Sequence, residues 1–77
     1  MNLRKVTPGA LVNDVLGTSA VAERLRLARS TVWRWGQKVP VGTGGIVPSR
    51  YHAELMSFAH QTGERLSAED LVLGRHK

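Results

Sequence analysis

The stretch Thr18–Lys38, TSAVAERLRLARSTVWRWGQK, decides how the rest of this 77-residue chain is read. Val21, Ala22 and Leu25 recur at helical spacing in its first part, and Val32 and Trp35 do so in its second. Each part turns one apolar stripe inward, so the spacing predicts two short helices meeting across a turn near Arg26 to Ala28. Ala22 suits a close crossing, because a small side chain lets two helix backbones approach at the sharp angle of a helix-turn-helix. With the apolar set turned in, Arg29, Ser30, Trp33, Arg34 and Gln37 fall together on the opposite face, at steps of one, four, five and eight residues. That face holds cations and hydrogen-bond donors and no acid.

The run Val21-Ala22-Glu23-Arg24-Leu25, followed by Leu27, Arg29-Ser30-Thr31-Val32 and Trp35, resembles the helix-turn-helix of phage Cro and repressor proteins and their bacterial relatives. A looser similarity extends over Ile46 to Arg75, where IVPSRYHAEL and LSAEDLVLGR resemble the back half of small Cro-like and antitoxin-type regulators. The resemblance implies an all-α, lambda repressor-like bundle of about five short helices. It also implies a phage or prophage Cro-like repressor that occludes a promoter. The family usually has Gly where this chain has Arg26, and often a capping Ser where it has Ala28. An Arg in a left-handed conformation is strained, which points to a longer or differently shaped turn here.

A chain of this length holds one domain with a marginal core, and homodimerisation would supply the missing burial. There are no cysteines, hence no disulfides and no thiolate metal sites, as suits a reducing cytoplasm, which the resemblance implies is that of a bacterial or phage-infected cell. No apolar run approaches the roughly 18 residues of a membrane span, and MNLRKVTPG lacks the apolar core of a signal peptide. The net charge is +5, from 11 Lys and Arg against 6 Asp and Glu. Its distribution matters more: Arg24, Arg26, Arg29, Arg34 and Lys38 lie together without an intervening acid, whereas Tyr51 to Lys77 is slightly acidic. A cationic patch confined to one element is the footprint of a polyanion binder, although a solvated basic face would look the same in sequence.

In chain order, residues 1–6 read as a flexible basic arm whose Arg4 and Lys5 are candidates for phosphate contact, and residues 7–77 as the single domain. Thr7-Pro8 starts a first helix that runs to about Leu16, burying Leu11, Val12, Val15 and Leu16, with Gly17 as its left-handed stop. Thr18 or Ser19 caps the second helix, whose amide end suits a backbone phosphate. After Gln37, KVPVGTGGIVP forbids a helix and predicts an irregular loop. Its free amides, with Lys38 and Thr43, either brush the DNA backbone or belong to a plain connector. It lacks the Gly-Lys-Ser/Thr ending of a phosphate-binding loop. A fourth helix begins near Pro48 or Ser49, runs to Gln61 or Thr62, and buries Tyr51, Leu55, Phe58 and Ala59, with Gly63 closing it. Ser67 and Asp70 stand at capping-box spacing before a short fifth helix. Leu71, Val72 and Leu73 crowd that helix, to pack on the first helix or to form a dimer contact.

The residues argue against an enzyme and against any cofactor or metal. His52, His60 and His76 fit no metal-ligand pattern and read as surface groups; Ser57 and His60 share a helical turn without an acid or oxyanion hole beside them. Trp35 aligns with Val32 on the buried stripe. Trp33 lies one turn from Arg29, placed to press on a thymine methyl or sugar or to fold over the following loop.

The expectation is therefore a sequence-specific regulator of double-stranded DNA, a homodimer on a palindromic operator. Arg29, Ser30, Trp33, Arg34 and Gln37 are its candidate base readers, and Thr18, Ser19, Arg26, Thr31 and Lys38 its candidate phosphate contacts. One alternative is an antitoxin or adaptor that grips a partner protein through the fourth and fifth helices, with autoregulatory DNA binding. An RNA binder would need more exposed aromatics than Trp33.

Overall fold

A computed structural model of the chain describes residues 5–76. Its helices are α1 (Pro8–Leu16), α2 (Thr18–Leu25), α3 (Arg29–Arg34), α4 (His52–Gln61) and α5 (Ala68–Leu73). A 3₁₀ turn, Ser49–Tyr51, leads directly into α4, so Tyr51 precedes the helix rather than opening its core face. Two short strands, β1 (Lys5–Val6) and β2 (Arg75–His76), pair antiparallel with Lys5 opposite His76 and Val6 opposite Arg75. The fold is thus mostly helical, as expected, with almost no strand, and Lys5 and Val6 belong to this short ribbon rather than to a flexible arm. Pairs this short leave no alternation for a sequence to show. Residues 1–4, where the arm reading placed Arg4, lie outside the described residues.

Capping explains most helix boundaries. Thr7 Oγ1 accepts from the Ala10 N–H at 3.4 Å, with Pro8 at the first helical position. Gly17 ends α1 at φ 87°, outside the left-handed helical well because ψ is 131°. The same glycine is the residue before α2, so no position remains for Thr18 or Ser19 as a cap. Thr18 is instead the first residue of α2, and its hydroxyl donates to Asn13 Oδ1 at 3.1 Å. Asn13 Nδ2 in turn donates to the Val32 carbonyl at 3.1 Å, so one amide ties α1, α2 and α3.

The connection between α2 and α3 is only residues 26–28. Arg26 adopts φ 57°, ψ 44°, and its left-handed geometry closes a Schellman motif: Leu27 N–H donates to Ala22 O at 2.9 Å and Arg26 N–H to Glu23 O at 3.3 Å. The expected longer or differently shaped turn is not formed, because these bonds hold Arg26 where glycine would rest without strain. Arg26→Gly is accordingly expected to raise stability by about 1 kcal/mol. Thermal unfolding checks this, and an unchanged or lower midpoint would show that the turn carries no strain.

Val12, Val21, Ala22, Val32, Trp35, Val47, Leu55 and Leu71 form one buried cluster. Val15 and Leu16 are half-buried at its edge rather than inside it. Helix α1 approaches α3 so closely that a Cβ on Gly9 would collide with the Trp35 carbonyl. Helix α4 contributes Leu55 and Ala59 fully and Phe58 in part. Helix α5 turns Leu71 inward, mainly against α1, and leaves Val72 and Leu73 exposed.

Ser67 and Asp70 make the expected capping box, with Asp70 Oδ2 accepting from the Ser67 N–H at 3.0 Å and Ser67 Oγ from the Asp70 N–H at 3.1 Å. Arg75 Nη2 donates to Asp70 Oδ2 at 2.7 Å and to the Arg65 carbonyl at 2.9 Å, fixing the start of β2 to α5. The Arg75 hydrogen bond holds the Asp70 carboxyl below its ordinary range, against the opposing effect of burial. A carboxyl depressed on folding stabilises the fold above its unfolded value, about 3.9 for Asp, and loses that contribution as pH falls through the folded value. The thermal midpoint of the native chain is therefore expected to exceed that of Asp70→Asn at pH 6. The gap narrows as pH is lowered below 4, and a gap constant with pH would contradict this account.

Candidate nucleic-acid interface

Val32 and Trp35 face the core, which rotates the rest of α3 outward. Arg29, Ser30, Thr31 and Arg34 are exposed, and Trp33 keeps nearly half its surface open among them. Ala28 is extended, at φ −64° and ψ 140°, so the chain enters α3 abruptly and presents Arg29 and Ser30 at its very start. Gln37 departs from the expected face. The helix ends at Arg34, the step of eight residues no longer applies, and half-buried Gln37 lies in the bend beyond.

Five basic residues of the central stretch divide into two kinds. Arg24 is committed internally: its Nη1 donates to Gln61 Oε1 at 2.7 Å, its Nε lies 3.5 Å from Glu54, and its guanidinium sits 5.2 Å from the Phe58 ring centroid. It pins α2 to α4 and leaves the cationic patch. Arg26, Arg29, Arg34 and Lys38 are exposed and have no ion-pair or hydrogen-bonding side-chain partner among the described residues. Glu23, also exposed, is the acid nearest to them in sequence. Of the candidate phosphate residues on α2, Ser19 is exposed, whereas half-buried Thr18 donates its hydroxyl proton to Asn13.

The loop after α3 folds back on the helix end. Thr43 N–H donates to the Arg34 carbonyl at 3.1 Å, Gly44 N–H to Gln37 O at 2.9 Å, and Gly42 N–H to Lys38 O at 2.9 Å. The Thr43 hydroxyl lies 3.3 Å from the Trp35 carbonyl and 2.7 Å from that of Ile46. The Gly42, Thr43 and Gly44 amides are therefore not free for a ligand, which agrees with the connector alternative rather than with amides that brush the DNA backbone. The final carbonyls of a helix have no intrahelical partner, and this loop supplies donors to them.

No protein family, curated protein or solved structure matches this chain. The functional reading rests on the residues themselves. Among the described residues, no three His, Cys, Asp or Glu side chains group as metal ligands would. His52 is half-buried rather than a free surface group, with Nε2 3.0 Å from the Val47 carbonyl; His60 is exposed, and the His76 side chain lies outside what is described. An open concavity of about 550 Å³ lies between Arg65, Leu66, Ser67, Asp70 and Arg75, but Asp70 and Arg75 there bind one another. No helix among the described residues is long and apolar enough to cross a membrane.

Asn13 and Arg24 are the positions that sequence reasoning missed. An Asn near the end of an amphipathic helix gives no sign of its tertiary partner. Arg24 did carry a signal, since it falls three residues from Val21 and so borders the buried stripe of α2.

Proposed function

We propose that this chain is a sequence-specific double-stranded DNA-binding regulator, with α2, residues 26–28 and α3 acting as a helix-turn-helix. The observation that carries the reading is the outer face of α3, where Arg29 and Arg34, without partners among the described residues, stand exposed with Ser30 and Trp33 while Val32 and Trp35 are buried. Arg donates two parallel bonds to guanine O6 and N7, Ser serves several bases, and an aromatic edge suits a thymine methyl. Ser19, Arg26, Thr31 and Lys38 supply phosphate contacts that position the helix without choosing sequence. Thr18 is left out because Asn13 accepts its hydroxyl proton, and Gln37 because it lies beyond the helical face. A homodimer would place one α3 from each subunit in successive major grooves, in keeping with repression by occupying a promoter.

Fluorescence anisotropy with a labelled mixed-sequence duplex tests the double-stranded DNA reading, using unlabelled duplex and single-stranded DNA as competitors. Stronger competition by duplex supports it, and equal or stronger competition by the single strand contradicts it. A second reading, an antitoxin or adaptor gripping a partner protein, draws on the exposed Val72 and Leu73 of α5. A stable complex that survives loss of the α3 arginines would favour it.

A further inference from the structure

Among the described residues, four of the six large apolar side chains that remain exposed belong to α3 or to the loop behind it: Trp33 at 46%, Val39 at 71%, Val41 at 58% and Ile46 at 66%. Pro40 is exposed between the two valines. This tip is fixed rather than loose. The Gly42 N–H to Lys38 carbonyl bond closes the turn that carries Val39-Pro40-Val41, and Thr43 fastens that turn to the Arg34 and Trp35 carbonyls. A Cβ on Gly42 would collide with the Arg34 carbonyl, so the loop crosses the end of α3 at backbone contact. Arg34 and Lys38, both exposed and unpartnered, lie in sequence and space beside it.

A fixed apolar tip bordered by cations matches the edge of a duplex, where phosphates meet the cations and deoxyribose and base edges meet apolar groups. We infer that Val39, Pro40 and Val41 form a second DNA contact. They pack on sugars and base edges of the minor groove, across the phosphate strand that Lys38 approaches. The inference rests on the DNA-binding reading of α3.

Apolar contacts displace no condensed counterions, so their loss lowers affinity without changing its salt dependence. The test is the affinity for a fixed duplex at several salt concentrations, for the native chain, Val39→Ser combined with Val41→Ser, Lys38→Ala and Arg34→Ala. Helical circular dichroism and sedimentation are recorded on each sample. The valine pair is expected to bind about tenfold more weakly with an unchanged salt slope, whereas Lys38→Ala lowers the slope by about one. Native affinity in the valine pair, with weakened binding in Arg34→Ala, overturns the tip contact and leaves the α3 reading standing. No duplex binding by the native chain overturns both. Weaker binding accompanied by a lower sedimenting mass overturns the inference by showing that the tip is covered by a second copy.

Discussion

Trp35→Ala is expected to destabilise the chain by about 3–5 kcal/mol. A chain this small has a stability of about 5 kcal/mol, so the variant keeps only about 0–2 kcal/mol, and at the lower end about half of it is unfolded at 25 °C. The magnitude follows from what the indole touches. Trp35 is 2% exposed, stacks on Tyr51 with centroids 5.6 Å apart, and belongs to the buried cluster with Val12, Val32 and Leu55. Truncation would open a cavity in the buried cluster, which its close-packed neighbours can fill only in part. Urea unfolding followed by circular dichroism measures the loss. Trp33→Ala in the same assay should change stability far less, because nearly half of that side chain is already open to solvent. Equal losses for the two tryptophans would mean that the inward and outward faces of α3 are misassigned.

Arg29→Ala and Arg34→Ala are each expected to cost about 1–3 kcal/mol of binding to a preferred duplex and to relax base choice at the position read. Both side chains are exposed and make no ion pair among the described residues, so removing either should leave the fold intact. The loss would then belong to the ligand contact alone. Arg24→Ala is the instructive contrast: it breaks the link to Gln61, Glu54 and Phe58 and should lower stability more than affinity. Affinity for selected and scrambled duplexes, measured side by side, separates the roles. A variant that binds every duplex less well by the same factor has lost a phosphate contact, and the base-reading role of that residue is then wrong.

The apolar periodicity made the helices legible, because Val21, Ala22, Val32, Trp35, Leu55 and Ala59 all lie on stripes that three- and four-residue steps reveal. Local chemistry revealed Thr7-Pro8 and the Ser67 to Asp70 box for the same reason: both partners lie within one helical turn. What escaped depends on groups far apart in sequence. The pairing of β1 with β2, the Asn13 bridge to Val32 and the clasp of Arg24 on α4 join segments whose approach only the packed chain defines. Arg26 was misjudged on a correct principle, since its left-handed geometry is unfavourable for Arg but is held by two backbone bonds. For the candidate site, the outward set Arg29, Ser30, Trp33 and Arg34 was legible, while Gln37 and the loop amides were not. Their places depend on where α3 stops and on how residues 42–44 cap it.

The most direct measurement is selection from randomised duplex DNA followed by sequencing, with the enriched duplex then titrated at several salt concentrations. The account predicts a palindrome with half-sites about one helical turn, roughly 34 Å, apart. It also predicts that enrichment disappears in the Arg29→Ala, Arg34→Ala double variant. Binding that falls steeply with salt but enriches no sequence would contradict it, leaving a basic surface without a reading function.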